Sequence, residues 1–224
     1  MLTGWNGLAI QALARASVIF GRPDYLESAR WAADYLLENH RNSDDTLVRA
    51  SVAERRSSAR ATLEDYGMLA GALLELSLAT GELPYAQAAR SLIDQTLAAG
   101  NSANVFGEPG GGDPVLTDRG IALLNDPSEG AYPSGISATA TAAWRLYLLT
   151  GDRRYSDAAE ATMAPVGELA LANPMSFGAS LRLMTALTGT PHQLVVVAPD
   201  GDDRPVPDTV RLSPANVVTV VTEQ

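Results

Sequence analysis

Three short segments of this chain carry the residues that could do chemistry: Trp5-Asn6, Glu64-Asp65-Tyr66, and Glu129 with Tyr132 and Ser134. Aromatic rings stack on the apolar faces of sugars, and carboxylates bind sugar hydroxyls or move protons. If the segments converge, Asp65, Glu129 and Glu64 are the acid/base candidates. Trp5 and Tyr66 are then stacking platforms, Asn6, Tyr132 and Ser134 further contacts, and Arg49 an anion anchor. Carboxylate catalysis on a glycoside needs two carboxyl groups roughly 5–9.5 Å apart. Each residue also has a plainer reading. Asn6, Asp65 and Ser134 serve equally as helix N-caps, Trp5 and Tyr66 as core aromatics, and Glu64 and Glu129 as solvated loop residues.

Other chemistries are closed by composition. The chain has no Cys, so thiolate catalysis and Cys-ligated zinc are unavailable. All 16 basic residues are Arg, which removes lysine-anchored pyridoxal chemistry. The two His, His40 and His192, are too few for a polyhistidine metal site. No metal and no cofactor is expected. Gly107 to Gly112 is glycine-rich but lacks the Lys and the preceding strand of a phosphate loop. A net charge of −10 opposes nucleic acid and anionic membrane surfaces as partners. No leader or long apolar span is visible, so a cytoplasmic location is the default expectation. His40 is expected at a helix C-terminus, where a positive ring is favoured; His192 precedes a terminal strand and reads as structural or exposed. The stretch with Glu54, Arg55, Arg56 and Arg60 reads as a solvated loop.

A repeat organises these residues. Gly21-Arg22-Pro23-Asp24-Tyr25, Gly81-Glu82-Leu83-Pro84-Tyr85 and Gly151-Asp152-Arg153-Arg154-Tyr155 each place Tyr four residues after Gly, with a small pair following. A partial fourth copy ends at Thr188-Gly189. Gly supplies the left-handed backbone that stops a helix, and the next helix starts within a few residues. Helices upstream of each Gly are apolar nearly all round: about 7–20, 65–80, 137–150 and 175–188. Those downstream are one-faced: about 24–39, 85–99 and 154–172, the last kinked or broken at Pro165. All-round apolar helices belong inside and one-faced helices outside. The fold class is therefore all-α, repeated helical hairpins forming part of an α/α toroid, with a short two-strand C-terminal element. The strands are expected at 193–198 and 216–221. Residues 1–190 make the toroid domain and 191–224 the cap.

Inner-to-outer turns are tight, whereas the links at about 40–63 and 100–134 are long. Parallel inner helices would gather the long links, and with them all three chemical segments, at one end. Inner helices left uncovered by a part-barrel would favour self-association.

Leu2-Thr3-Gly4-Trp5-Asn6-Gly7-Leu8, Leu63-Glu64-Asp65-Tyr66 and Gly130-Ala131-Tyr132-Pro133-Ser134-Gly135 together resemble the C-terminal part of the spermatogenesis-associated, thioredoxin-domain-containing protein family. The resemblance covers nearly the whole chain. It implies an α/α toroid like that of N-acylglucosamine 2-epimerases and six-hairpin glycosidases, here beginning where the family's barrel is already under way, as in a fragment or truncated form. The family pattern has Asp before Gly-Ala and Asn after Pro-Ser-Gly; this chain has Glu129 and Ile136. Related epimerases use paired His, and neither His here falls in the three segments. Two functions follow as expectations: a carbohydrate-binding or sugar-active domain working through carboxylates, or a noncatalytic scaffold whose open edge meets a partner.

Overall fold

The computed structural model describes residues 1–53, 55–112, 118–119, 126–198 and 217–222, with the backbone alone for 198 and 217–222. Glu54, Asn216 and the stretch between the two C-terminal strands lie outside the described residues.

Three tight helical hairpins follow one another. Helix α1 (Thr3–Phe20) turns into α2 (Pro23–Asn39), α3 (Leu63–Thr80) into α4 (Leu83–Ala98), and α5 (Gly135–Thr150) into α6 (Arg153–Met163). Gly21, Gly81 and Gly151 close the first helix of each pair with φ of 62°, 74° and 71°, a conformation costly to any residue with a Cβ. The fourth glycine departs from the pattern: Gly189 has extended backbone, with φ −85°. Pro165 interrupts the third outer helix as expected. A 3-10 turn, Ala164–Val166, separates α6 from a short α7 (Gly167–Ala172). A further 3-10 turn at Pro174–Ser176 delays α8 until Gly178, and α8 then runs to Thr188.

Helices α1, α3 and α5 pack side by side, each backed by its own outer helix. Their N-terminal ends coincide. The Gly4 amide donates to Asp65 across α1 and α3, and Thr139 Oγ1 donates to the Leu63 carbonyl across α5 and α3. The inner helices are therefore parallel. Close approach depends on absent side chains, since a Cβ on Gly67 would stand 2.5 Å from the Thr139 amide nitrogen. Apolar side chains fill the space between layers: Ile10, Leu69, Leu73, Leu76, Leu92, Ile93 and Leu146 are almost wholly buried. The outer layer has its own ties. Tyr85 OH donates to Asp34 at 2.8 Å, and Tyr155 OH to Asp94 at 2.8 Å.

The first long link folds back on the start of α1 through the small antiparallel pair β1 (Ser51–Val52) and β2 (Arg55–Arg56). Near the C-terminus, β3 (Gln193–Ala198) pairs in parallel with β4 (Val217–Thr222), one residue later than expected for the second strand. Among the described residues, no helix is long and apolar enough to cross a membrane.

Candidate functional site

The N-terminal ends of the inner helices form a rim, and both long links return there. The link after α2 is held by the Arg49 carbonyl accepting from the Thr3 amide at 3.0 Å. This places the Arg49 guanidinium 2.9 Å from Thr62 Oγ1 and 3.3 Å from Asp65 Oδ2. The link after α4 packs tightly against the end of that helix: a Cβ on Gly107 would stand 2.0 Å from the Ala99 carbonyl oxygen. That approach sets the neighbouring Glu108 carboxylate against the first turn of α3, where it accepts from the Leu63 backbone amide.

Asp65 is 4% exposed, and its oxygens are already committed. Oδ1 accepts from the Gly4 amide at 2.9 Å; Oδ2 accepts from the Thr62 amide at 3.0 Å, besides Thr62 Oγ1 and Arg49. Burial pushes its carboxyl above the ordinary range, opposed by the Thr62 and Gly4 amides and by Arg49. The residue joins two helix starts. Glu129 does similar work at α8, accepting from the Ala179 and Ser180 amides at 2.6 and 2.9 Å and from Ser180 Oγ at 2.7 Å. The geometry thus gives both acids a capping contact rather than an open approach to a ligand.

Glu64 differs. It is half-buried, and among the described residues no donor bonds its carboxylate. Burial raises its carboxyl above the usual range, the Asp65 charge raises it further, and Arg49 opposes both. Glu108 is also raised by burial and feels the same two neighbours. Glu64, Asp65 and Glu108 therefore all feel the charge of one arginine. The Arg49 guanidinium is paired with Asp65 at 3.3 Å, so an incoming anion would compete with a carboxylate already in place.

The aromatic residues separate into two kinds. Trp5 is 54% exposed and Tyr132 40% exposed, and their rings meet edge to face at 5.9 Å. Tyr66 is fully buried, its hydroxyl accepting from the Leu47 amide at 2.9 Å. No face of it can reach a ligand, so the stacking role expected of Tyr66 does not fit the fold. Asn6 bonds back to the Leu2 carbonyl at 2.7 Å from within the first turn of α1. Ser134 caps α5, its Oγ accepting from the Ser137 amide at 3.2 Å. Ile136 lines a cavity of about 270 Å3 with Leu63, Phe106, Pro127 and Val166.

His40 is wholly buried. Thr3 Oγ1 gives its one proton to the Val48 carbonyl at 2.5 Å, so the 2.7 Å contact with Nδ1 must be donated by the ring. Nε2 then accepts from Ser51 Oγ at 2.8 Å. Burial first, then the N-terminal ammonium and Arg56, hold the ring below its ordinary value. It is a neutral brace between α1 and the first long link, not a charged helix end. Glu108 is the rim residue that sequence reasoning missed. A lone Glu in a Gly/Pro-rich stretch carries no periodicity, and its partner amide lies 45 residues away.

Searches found no matching family model and no matching curated protein. Among solved structures the chain is similar to a glycoside hydrolase family 76 protein, a mannosidase, from Bacteroides thetaiotaomicron. The TM-score is 0.55 at 18% identity, covering 72% of this chain and 43% of that one. The chain therefore spans less than half the length of that structure. At this identity the likeness concerns the fold. The fold is repeated helical hairpins forming part of an α/α toroid.

Proposed function

We propose that the rim binds a carbohydrate, with Trp5 and Tyr132 as stacking faces and Glu64 as the carboxyl group that exchanges a proton. The observation carrying this reading is Glu64 itself. Of the three acids singled out in the sequence, it alone keeps its oxygens free of donors, in a half-buried setting that favours the protonated form. A general acid needs that combination. Glu108 supplies the second carboxyl that glycoside chemistry requires, while Asp65 and Glu129 hold the helix ends in place. The glycosidase-like fold agrees with this reading, and the three motifs quoted above support membership of the thioredoxin-domain-containing family.

The test is a thermal-shift screen of neutral oligosaccharides, followed by calorimetry on Trp5→Ala and Glu64→Gln. Loss of a stacking ring is expected to weaken binding about tenfold. Glu64→Gln should retain binding and lose any bond cleavage. No shift with any sugar overturns the proposal.

One observation favours a second reading, the noncatalytic scaffold: the Asp65 and Glu129 carboxylates both bond helix-end amides. In that case Glu64→Gln leaves every sugar response unchanged because there is none to lose.

A further inference from the structure

The turns at Gly21, Gly81 and Gly151 allow the two interfaces between successive hairpins to be compared position by position. Five residues after its glycine the first hairpin carries Leu26 and the second Ala86; nine residues after, they carry Arg30 and Arg90. At the first interface both positions are satisfied. Leu26 packs against the core, and Arg30 is paired with Glu82 at 2.5 Å. Glu82 directly follows Gly81, and the residue at that place in the third hairpin is Asp152. Asp152 is engaged elsewhere. Its carboxylate accepts from the Arg154 amide at 3.2 Å and from Arg154 Nε at 2.9 Å.

The second interface is left open. Between α3, α4 and α5 lies a cavity of about 400 Å3, walled by Leu78, Leu83, Ala86, Leu146 and Leu149, with Arg90 beside them. Leu149 stands where the first interface has Ala79, yet the space beside Ala86 is not closed. Leu83 is 63% exposed there. Arg90 Nε donates to Tyr155 OH at 3.1 Å and lies 3.8 Å from Asp94 Oδ2. Among the described residues, nothing bonds the terminal amino groups of Arg90, and no acid lines the cavity. Helix α4 starts at this end with no acid in its first turn, so its positive pole offsets the carbonyl poles of α3 and α5.

We propose that this cavity binds a medium-chain aliphatic carboxylate, its chain lying along the leucines and its head group bonded by the terminal nitrogens of Arg90. A mostly apolar lining with one placed polar group is the make-up of a small-molecule site. The guanidinium selects a carboxylate over an alcohol, because its planar edge gives two parallel bonds to two oxygens. The volume selects the length. At about 30 Å3 for each water-sized group, a cavity of about 400 Å3 holds roughly a dozen heavy atoms, as many as decanoate has. Gly81 borders the cavity and stands 18 residues after Leu63, counted as 81 − 63, which places the site about 27 Å from the rim. The inference is therefore independent of the carbohydrate reading.

The test is calorimetric titration of the full chain with decanoate, kept below its micelle-forming concentration, and with decanol and hexanoate as comparisons. Decanoate is expected to saturate at one molecule per chain. Decanol should bind about tenfold more weakly, the scale of a lost hydrogen bond to a charged group. Hexanoate, shorter by four methylenes, should bind at least about tenfold more weakly than decanoate. Arg90→Gln should weaken decanoate about tenfold and leave decanol unchanged, a difference that loss of the Tyr155 contact alone would not produce. Ala86→Leu installs the residue that the first hairpin already carries at this place, and should abolish binding of both. Arg30→Gln, at the equivalent place in the first hairpin, should leave decanoate binding as it was. No saturable decanoate binding, decanol binding as tightly as decanoate, or a folded Ala86→Leu protein that binds as the parent does overturns the proposal. If Ala86→Leu does not fold, an Arg90→Gln protein that binds decanoate as tightly as the parent overturns it.

Discussion

Gly67→Ala and Gly71→Ala should change stability in opposite directions, although both exchange glycine for alanine inside the same buried helix. At Gly67 a methyl group would stand 2.5 Å from the Thr139 amide nitrogen and 2.7 Å from the Ala138 carbonyl carbon and Thr139 Oγ1. Two of these are backbone atoms of α5, so no flexible side-chain end can swing away from them. Restoring ordinary contact requires α3 and α5 to part by about 1 Å. Overpacking on this scale costs about 3 kcal/mol. Alanine's higher helix propensity offsets about 1 kcal/mol of that, leaving a net loss of about 2 kcal/mol. At Gly71 the nearest atom would be Gln11 Oε1 at 3.6 Å, an ordinary contact with a movable amide. There the propensity gain of about 1 kcal/mol stands unopposed. For a chain of this size the melting temperature should fall by about 4–8 °C in the first variant and rise by about 2–4 °C in the second. Urea and thermal unfolding measure both. Equal signs, or a Gly67→Ala protein as stable as the parent, would refute the close packing of α3 against α5 that places Glu64.

Other outcomes test the rim directly. In a carboxyl NMR titration Glu64 should ionise above its ordinary 4.5; Asp65→Asn should lower that midpoint and Arg49→Gln should raise it, because their charges act in opposite senses. Tyr66→Phe leaves the buried Leu47 amide without an acceptor and should cost about 1–3 kcal/mol of stability while leaving any sugar binding unchanged. Glu129→Ala removes the acceptor from the first turn of α8, so the Ala179 and Ser180 amides should exchange hydrogen faster, with little change in α3. His40 has a folded value below its ordinary 6.5, so its stabilising contribution is complete above that pH and is lost as pH falls through the folded value. His40→Gln should be less stable at neutral pH but should lose less on acidification; an unchanged slope between pH 7 and 5 would contradict a buried neutral ring.

The layering of this fold could be read from the chain because it depends on periodicity. Glycine followed four residues later by tyrosine, between an all-apolar and a one-faced helix, marks the inner-to-outer turn without knowledge of what lies beyond it. Loop lengths then gathered the long links at one end, where Gly4, next to Trp5, meets Asp65, while Glu129 bonds the start of α8. Their roles were less legible, because each depends on a partner far along the chain. Asp65 meets Gly4, 61 residues away, and Glu129 meets Ala179 and Ser180, 50 and 51 residues away. Neighbours in sequence can have opposite fates for the same reason. Glu64 and Asp65 are turned by about 100° on the helix, enough to leave one carboxylate unbonded and bury the other. Tyr66 has the composition of a stacking residue but occupies a core position, which its burial reveals and its identity does not.

The parallel course of the inner helices also polarises the molecule. Peptide dipoles in α1, α3 and α5 add instead of cancelling, each contributing roughly half a positive charge at its N-terminal end. The rim is where Asp65 lies close to Glu64 and Glu108, in a protein whose net charge is already −10. That field offsets the mutual repulsion of these three acids. At the far end the three helices finish with no basic residue in their last turns. The carbonyl ends there are met by the amides of Gly21, Gly81 and Gly151 in place of a cation, and the field runs along the whole length of the inner layer.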